Sequence, residues 1–237
     1  MIMLRVENVF KNYGKLEVLN CVSFNVKHGE IKALIGVNGA GKTTLIELIC
    51  GVKKVDFGKI YIEDNDVSNK AKKRQLKRLI GYMPQAFSLF NDLSVKENLG
   101  YLCSVYNINK NKVDEIISLC GLQNHAKVVA KNLSGGYRQL LSLSSALIHS
   151  PKILILDEPT SAMDPIFRRK FWEIINYCRE NGMTVFVITH FLEELLECDS
   201  FICLSNGEIK FDGRVKDFKK NGFIDVKKIL RQYSDGK

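Results

Sequence analysis

The segment GVNGAGKT, Gly36 to Thr43, has the spacing G-x-x-x-x-G-K-[ST] of a phosphate-binding loop. It follows an apolar run that predicts a strand, Ile31 to Ile35, and precedes a stretch, TTLIELIC, that predicts a helix. Backbone N–H groups of the loop and of the helix N-terminus can surround a phosphate, because glycine permits close approach. Lys42 is then expected to reach the terminal phosphates and the Thr43 hydroxyl to bind Mg²⁺. The predicted phosphate-binding residues are Gly36, Val37, Asn38, Gly39, Ala40, Gly41, Lys42, Thr43 and Thr44.

Two adjacent acids, Asp157 and Glu158, follow the apolar run ILIL, Ile153 to Leu156. The carboxyl ends of parallel strands are where α/β folds bind ligands. Asp157 is predicted to hold Mg²⁺, directly or through an intervening ligand, and Glu158 to polarise an attacking water as general base. Adjacent acids at a strand end are also common in ordinary turns. The phosphate loop in the same chain favours the catalytic interpretation.

Short aliphatic and β-branched runs predict the strands that position these residues. ILIL and TVFVIT are apolar without alternation, as strands buried on both faces of a parallel sheet must be. The early runs follow one another with little helix between them and predict a small antiparallel sheet. The predicted strands are Leu4 to Val9, Val22 to Val26, Ile31 to Ile35, Lys59 to Ile62, Leu79 to Met83, Ile153 to Leu156, Thr184 to Thr189, Phe201 to Leu204 and Glu208 to Phe211.

Helical spacing replaces the strand pattern between Pro84 and Ser150. The sequence therefore predicts a core of residues 1–84 and 150–216, an inserted helical subdomain at about 85–149, and a short basic tail at 217–237. The predicted helices of the insertion are Val95 to Tyr106, Lys112 to Cys120 and Gly136 to His149. A further helix is predicted from Pro165 to Asn181, with proline in its first turn and glycine after its end.

The composition is that of an ordinary globular chain. Of 237 residues, 46% are hydrophobic and 26% charged, which indicates neither disorder nor a membrane-embedded protein. The apolar runs fall short of the roughly 20 residues that cross a bilayer. Arg5 and Glu7 interrupt the N-terminal segment where a signal peptide needs an apolar stretch, so a cytosolic chain is expected. Seven cysteines without a CxxC pair favour reduced thiols over disulfides or zinc.

The net charge of +9 suits nucleic acid, an anionic membrane surface or nucleotide phosphates. Basic clusters occur at Lys70 to Arg78, Arg168 to Lys170 and Lys216 to Lys220. They lack the interleaved aromatic residues that would stack on bases. A solvated, lysine-rich surface is the favoured interpretation, and no nucleic-acid partner is expected.

The segment LSGGYRQ, Leu133 to Gln139, resembles the signature of the ATP-binding cassette (ABC) family, which a generic phosphate-loop ATPase lacks. The resemblance runs from about Leu4 to about Arg214 and implies an α/β phosphate-loop NTPase fold. Its parts would be a RecA-like parallel-sheet core, a small antiparallel β subdomain and an inserted helical signature subdomain. The matching motifs are Tyr13, like the family's adenine-stacking aromatic, the phosphate loop, Gln85, like its Q-loop glutamine, the signature, the Walker B strand with Glu158, SAMD at Ser161 to Asp164, like its D-loop, and His190, like its switch histidine.

The resemblance implies a site shared between two subunits. Ser134, Gly135 and Gly136 are expected to open a helix whose N-terminal N–H groups suit an anion. In the family that anion is the γ-phosphate of ATP held by the opposite subunit. The implied activity is hydrolysis of ATP to ADP and phosphate, with ATP and Mg²⁺ as cofactors. The expected partner is a second cassette subunit, with a homodimer favoured.

The remaining motif residues each have an ordinary structural alternative. Tyr13 could be a plain exposed aromatic, Gln85 a surface amide and His190 a satisfied core histidine. Their positions favour adenine stacking for Tyr13, contact with Mg²⁺ or the attacking water for Gln85, and contact with the γ-phosphate and Glu158 for His190. Asp164 is assigned to the nucleotide site by the resemblance alone. The predicted catalytic residues are Lys42, Glu158 and His190, and the predicted metal ligands are Thr43, Gln85 and Asp157.

Two residues depart from the family's usual pattern. Tyr137 stands where the signature commonly has glutamine, and Met163 where the D-loop commonly has leucine. Both positions vary within the family. The presence of Glu158 and His190 argues against a degenerate site that does not hydrolyse ATP.

The stretch after Gln85, AFSLFNDLSVKENLGYLCSVYNI, resembles exporter-type cassettes of the drug, antibiotic and sodium export group. In the family this surface receives a coupling helix from a membrane subunit. The resemblance therefore implies transport, export over import, integral membrane subunits as partners and a position at the cytoplasmic face of the membrane.

The competing hypothesis is a soluble cassette ATPase that acts on DNA or ribosomes. The sequence has neither the long coiled-coil insertion typical of the first group nor the paired cassettes typical of the second. A phosphate-loop kinase or GTPase would explain Gly36 to Thr43 but not LSGG.

Overall fold

The computed structural model describes residues 1–220 and 223–224. Contacts within the chain group it into two compact units. The first unit comprises Met1–Lys77 and the chain from Thr184 onward, and the second comprises Arg78–Met183. The tail predicted at 217–237 lies for most of its length outside the described residues.

The elements are numbered along the chain. The strands are β1 (Ile2–Tyr13), β2 (Leu16–Lys27), β3 (Ile31–Gly36), β4 (Phe57–Ile62), β5 (Asn65–Asp66), β6 (Ile80–Met83), β7 (Ile153–Asp157), β8 (Thr184–Ile188), β9 (Ser200–Ser205), β10 (Glu208–Arg214), β11 (Lys219–Lys220) and β12 (Phe223–Ile224). The α-helices are α1 (Lys42–Ile49), α2 (Lys73–Leu79), α3 (Val95–Tyr106), α4 (Asn111–Leu119), α5 (Gly135–Leu147) and α6 (Pro165–Glu180). Short 3₁₀ turns lie at Lys70–Lys72, Gln123–His125, Ala130–Asn132, Leu192–Glu197 and Val215–Phe218.

The first unit contains the predicted antiparallel sheet, with strand order β2-β1-β4-β5. Val6 of β1 pairs with Phe24 of β2 on one side and with Ile60 of β4 on the other. All three side chains are buried. Alternate residues of each strand thus cover one face of this sheet with apolar groups, as half-buried strands do.

The same unit contains parallel strands that end at a common edge. β3 runs parallel to β8 and to β9, with Leu34 opposite Ile188 and Ile202, and β10 returns antiparallel to β9. Every residue from Ile31 to Ile35 and from Thr184 to Ile188 is buried, so the unalternating apolar runs predicted a central parallel sheet correctly. The residues that follow β3 and β8 emerge together at the carboxyl edge.

The second unit combines the parallel pair β6 and β7, with Met83 opposite Leu156, with four helices. α3 begins and ends as the helical spacing predicts, and Ser94 and Glu97 form a reciprocal capping box at its start. α5 begins one residue earlier than predicted and ends at Leu147, and α6 ends at Glu180. The predicted boundaries of the helical subdomain, 85–149, stay a prediction.

Two further features concern the length of the helices and the burial of the cysteines. Among the described residues, no helix combines the length and the apolar character that a bilayer crossing requires. Five of the seven cysteines are buried, and burial raises the pKa of Cys120 to about 12 and that of Cys178 to about 11. These two thiols are therefore protonated at neutral pH and are poor nucleophiles.

Candidate functional site

The phosphate loop joins β3 to α1 in the first unit, and its glycines meet two different demands. A Cβ on Gly36 would overlap the carbonyl oxygen of Leu204, and one on Gly41 would lie 2.8 Å from the carbonyl oxygen of Val18. Gly41 also has φ 102° at the N-cap of α1. Gly39 has φ 81° but no protein atom within 4 Å of its Cβ position. The chain itself requires glycine at the ends of the loop, and Gly39 borders open space.

Lys42 points back into the loop that precedes it. Its Nζ donates to the carbonyl oxygens of Gly36 at 2.8 Å and of Val37 at 3.0 Å, and only 8% of the residue is exposed. Thr43, in the first turn of α1, is exposed, and Thr44 is half-buried. The loop thus presents an ammonium group, a hydroxyl group and the N-terminus of a helix to one small region, a combination suited to a phosphate.

His190 follows β8 at the same edge of the parallel sheet as the phosphate loop. Thr189 donates its N–H to the carbonyl oxygen of Leu34 at 3.3 Å, which ties the end of β8 to β3. The His190 side chain is exposed, and its ring lies 4.1 Å from that of Phe191. It is therefore not a core histidine, the alternative considered from sequence.

Tyr13 ends β1 and lies among charged groups. The Nζ atoms of Lys11 and Lys53 lie 5.6 Å and 4.9 Å from the ring centroid, within cation–π range. Hydrogen bonds to Glu47 and to Tyr13 raise the pKa of Lys53. The ring is 41% exposed, which leaves surface on which another ring could stack.

Glu158 and Gln85 meet in the second unit, at the carboxyl ends of β7 and β6. Gln85 Nε2 donates to Glu158 Oε2 at 3.1 Å. Glu158 has φ 47°, a left-handed conformation that is uncommon for residues other than glycine and that recurs at functional sites. Asp157, the last residue of β7, is 5% exposed, whereas Glu158 is half-buried. Sequence reasoning placed Gln85 and Glu158 in the site but did not predict the hydrogen bond between them.

The first residue of the D-loop segment is hydrogen-bonded to the backbone of Glu158. Ser161 donates both its N–H and its hydroxyl to the Glu158 carbonyl oxygen, at 3.3 Å and 3.0 Å. Asp164, assigned to the nucleotide site by resemblance, caps α6 by accepting the N–H groups of Ile166 and Phe167. This carboxylate thus has a structural function within the described residues, and its contact with nucleotide stays a prediction.

The signature segment starts α5. Ser134 occupies the N-cap position but makes no side-chain capping bond, and both Ser134 and Gly135 are exposed. The first N–H groups of a helix have no acceptor within the helix, so an uncapped exposed N-terminus offers donors to an external anion. The helix has 13 residues.

Sequence reasoning missed a group of rings behind the signature. A Cβ on Gly136 would lie 2.5 Å from the ring of Phe167, the third residue of α6. Tyr137 stacks on His125 at 3.7 Å and meets Phe167 edge-on at 4.9 Å. Tyr137, noted as a departure from the family pattern, was the available signal. These contacts join the start of α5 to the start of α6.

The predicted metal ligands have the right chemistry for Mg²⁺. Thr43, Gln85 and Asp157 carry a hydroxyl, an amide oxygen and a carboxylate, the hard oxygen donors that Mg²⁺ prefers. Within residues 1–220 and 223–224, no group of three or more His, Cys, Asp or Glu side chains could hold a metal ion alone.

Comparison with known proteins extends these findings. Residues 19–161 match the family model described as ABC transporter. The chain is 35% identical over 217 residues to ABC transporter G family member 23 of Dictyostelium discoideum, covering 90% of this chain but 31% of that protein. It therefore spans about a third of that relative's length.

Two bacterial relatives match over more of their length. The linearmycin resistance ATP-binding protein LnrL of Bacillus subtilis is 35% identical, over 87% of this chain and 68% of that protein. The methionine import ATP-binding protein MetN of Clostridium tetani is 33% identical, over 97% of this chain and 75% of that protein.

Solved structures agree with the fold. An ATP-binding subunit of an ABC transporter superposes with a TM-score of 0.87 at 26% identity, covering 98% of this chain and 99% of that one. A dimeric post-hydrolysis state of the ATP-binding cassette MJ0796 bound to ADP and Pi gives 0.81 at 27% identity, covering 90% and 98%. The predicted α/β phosphate-loop NTPase fold, of the ABC type, is thereby confirmed.

Proposed function

We propose a function for this chain from the premise that it belongs to the ABC transporter family, as an ATP-binding protein. In this proposal it binds ATP with Mg²⁺ and hydrolyses ATP to ADP and phosphate. Residues 36–44 hold the phosphates, and Tyr13 stacks on the adenine. Thr43, Gln85 and Asp157 provide oxygen ligands for Mg²⁺, which neutralises phosphate charge when bound.

The observation that carries hydrolysis is the environment of Glu158. Its left-handed backbone and the hydrogen bond from the side-chain Nε2 of Gln85, at 3.1 Å, fix the carboxylate directly after a buried strand. As water attacks the γ-phosphorus, Glu158 accepts the proton of the water and the bond from phosphorus to the bridging oxygen of ADP breaks. Lys42 stabilises the charge on the phosphate, and His190 contacts the γ-phosphate and orients Glu158.

The test of this assignment is Glu158→Gln. Loss of the base is expected to lower phosphate release by roughly 10²- to 10⁴-fold while ATP binding is retained. The ATP-bound dimer should then accumulate. Glu180→Gln, an exposed position at the end of α6, is the matched control and should hydrolyse normally. Turnover near the wild-type rate in Glu158→Gln would remove Glu158 as the base.

The proposed active form is a head-to-tail dimer. Ser134 leaves the N-terminus of α5 uncapped and exposed, so its N–H groups and hydroxyl can bind a γ-phosphate held by a second subunit. The similarity to a dimeric cassette with ADP and Pi supports this arrangement. The second subunit is a copy of this chain or a close relative, and two ATP molecules lie between the pair.

The proposed role is to drive integral membrane subunits from the cytoplasmic face of the membrane. Names among the relatives include both resistance and import, so the family alone does not fix the direction. The segment after Gln85, which resembles exporter-type cassettes, favours export. Purification of the chain from membranes tests this role, because an integral membrane protein should be recovered with it. Recovery with ribosomes or DNA instead would favour a soluble cassette ATPase.

A further inference from the structure

The first unit carries a group of cationic side chains, called here the basic surface, formed by Lys54, Lys59, Lys73, Arg74 and Lys77. All five are exposed. Lys54, Lys59 and Lys73 line one pocket of about 110 Å³. Arg74 and Lys77 follow Lys73 on α2, where residues three and four apart share a helix face. From sequence alone, the run Lys70 to Arg78 is interpreted as a solvated surface. In the fold, Lys73 of this run lines the same pocket as Lys54 and Lys59 from another segment.

The charge of the basic surface is largely uncompensated. Within the described part of the chain, none of its five residues lies within 4.0 Å of a carboxylate oxygen in an ion pair. Asp66 also lines the pocket, and it accepts the N–H of Ser68 at 2.8 Å. Lys54, Lys59 and Lys73 thus line the pocket together with this one carboxylate, and the excess of positive charge attracts anions from solution.

Three lysines of the second unit, by contrast, are paired with carboxylates. Lys96, Lys112 and Lys131 lie 2.7 to 2.9 Å from the carboxylates of Asp114, Glu115 and Asp92. Lys131 also lowers the pKa of Asp92 through their hydrogen bond. The five residues of the basic surface therefore differ from these three lysines in carrying charge that no carboxylate among the described residues compensates.

Apolar side chains next to the basic surface indicate what kind of anion it meets. Val52 and Phe57 are each 70% exposed, and they adjoin the pocket residues Lys53 and Gly58 in the chain. Lysines beside exposed apolar groups are typical of surfaces that lie on anionic bilayers. None of the residues that line the pocket is aromatic, and Phe57 alone does not provide the series of rings on which successive nucleic-acid bases stack.

We propose that the basic surface binds the anionic phospholipid headgroups of a membrane. The ammonium groups of Lys54, Lys59 and Lys73 donate to headgroup phosphate oxygens, while Val52 and Phe57 enter the interfacial region. The assumption that the chain works at a membrane rests on the proposed function. The surface itself would hold the chain at the bilayer independently of any contact with a membrane subunit.

The test is sedimentation of the purified full chain with vesicles. Wild type is expected to bind an equal mixture of phosphatidylglycerol and phosphatidylcholine, to ignore pure phosphatidylcholine, and to bind less at about 0.15 M salt than at low salt. The triple variant Lys54→Gln, Lys59→Gln, Lys73→Gln should bind the anionic vesicles more weakly by on the order of 100-fold, at about fivefold for each cationic group.

The matched control is the triple variant Lys96→Gln, Lys112→Gln, Lys131→Gln, which removes the same three charges from the net charge of +9. It should bind the vesicles nearly as wild type does. Equal loss in both triples, no binding by wild type at low salt, or binding of DNA with no binding of vesicles would overturn the proposal. Phosphate release from ATP is measured in parallel. A lack of phosphate release by wild type would contradict the proposed function. The vesicle result tests the basic surface separately.

Discussion

The phosphate loop and the signature segment both place glycines at the start of an α-helix, but their surroundings differ. At the phosphate loop, Gly36 and Gly41 are packed against the backbone of neighbouring strands, and Lys42 bonds to the loop's own carbonyl oxygens. At the signature, Ser134 and Gly135 face solvent and only Gly136 is packed. The first is a self-supported site within one chain, whereas the second offers its donors outward. A change in the loop should therefore impair a single subunit, and a change in the signature should impair the pair.

Between the phosphate loop and the signature segment, the larger effect is expected from Lys42→Ala in the loop. Removing the ammonium group takes away a charged donor to the phosphates, so ATP affinity should fall sharply and phosphate release by about 10²- to 10³-fold. Titration with a fluorescent ATP analogue and a phosphate-release assay measure the two losses. Lys131→Ala, at an exposed lysine paired with Asp92, serves as control. Unchanged nucleotide affinity in Lys42→Ala would show that this loop is not the phosphate site.

An intermediate effect is expected from Ser134→Arg. The long cationic side chain would occupy the space before α5 that a partner's phosphate needs, so the ATP-dependent dimer should not form. The monomer should still bind ATP, because the phosphate loop is intact. Size-exclusion chromatography with ATP in the Glu158→Gln background measures dimerisation, and Ser134→Ala is the conservative comparison. A stable ATP-bound dimer of Ser134→Arg in that background, or normal phosphate release by Ser134→Arg alone, would refute the shared site.

Sequence reasoning succeeded where local pattern determines structure. The phosphate loop is a strand, a glycine-rich turn and a helix in direct succession, and the buried strands show themselves as unbroken apolar runs. The helical spacing placed α3 correctly at both ends, and Ser94 and Glu97 cap its start. In each case the residues that decide the conformation are neighbours in the chain.

The misses have a common physical cause. α2 has seven residues and buries only Leu76, so it carries no apolar periodicity to detect. The bond from Gln85 to Glu158 joins residues 73 apart, and no local pattern encodes such a pairing. The contact of Phe167 with Gly136 likewise depends on how two helices start side by side. Sequence identified the chemical groups, and the fold determined their partners.

The smallest effect, and the sharpest test of how the signature is supported, is expected from Gly136→Ala. The new methyl group would lie 2.5 Å from the Phe167 ring, and overpacking of this kind costs about 1 to 3 kcal/mol. Adding Phe167→Ala removes the obstructing ring, so the double variant should lose less stability than the sum of the two single changes. Chemical denaturation of all four proteins gives this coupling. If the losses of stability in the two single variants simply add in the double variant, the Phe167 ring does not restrict the space at Gly136.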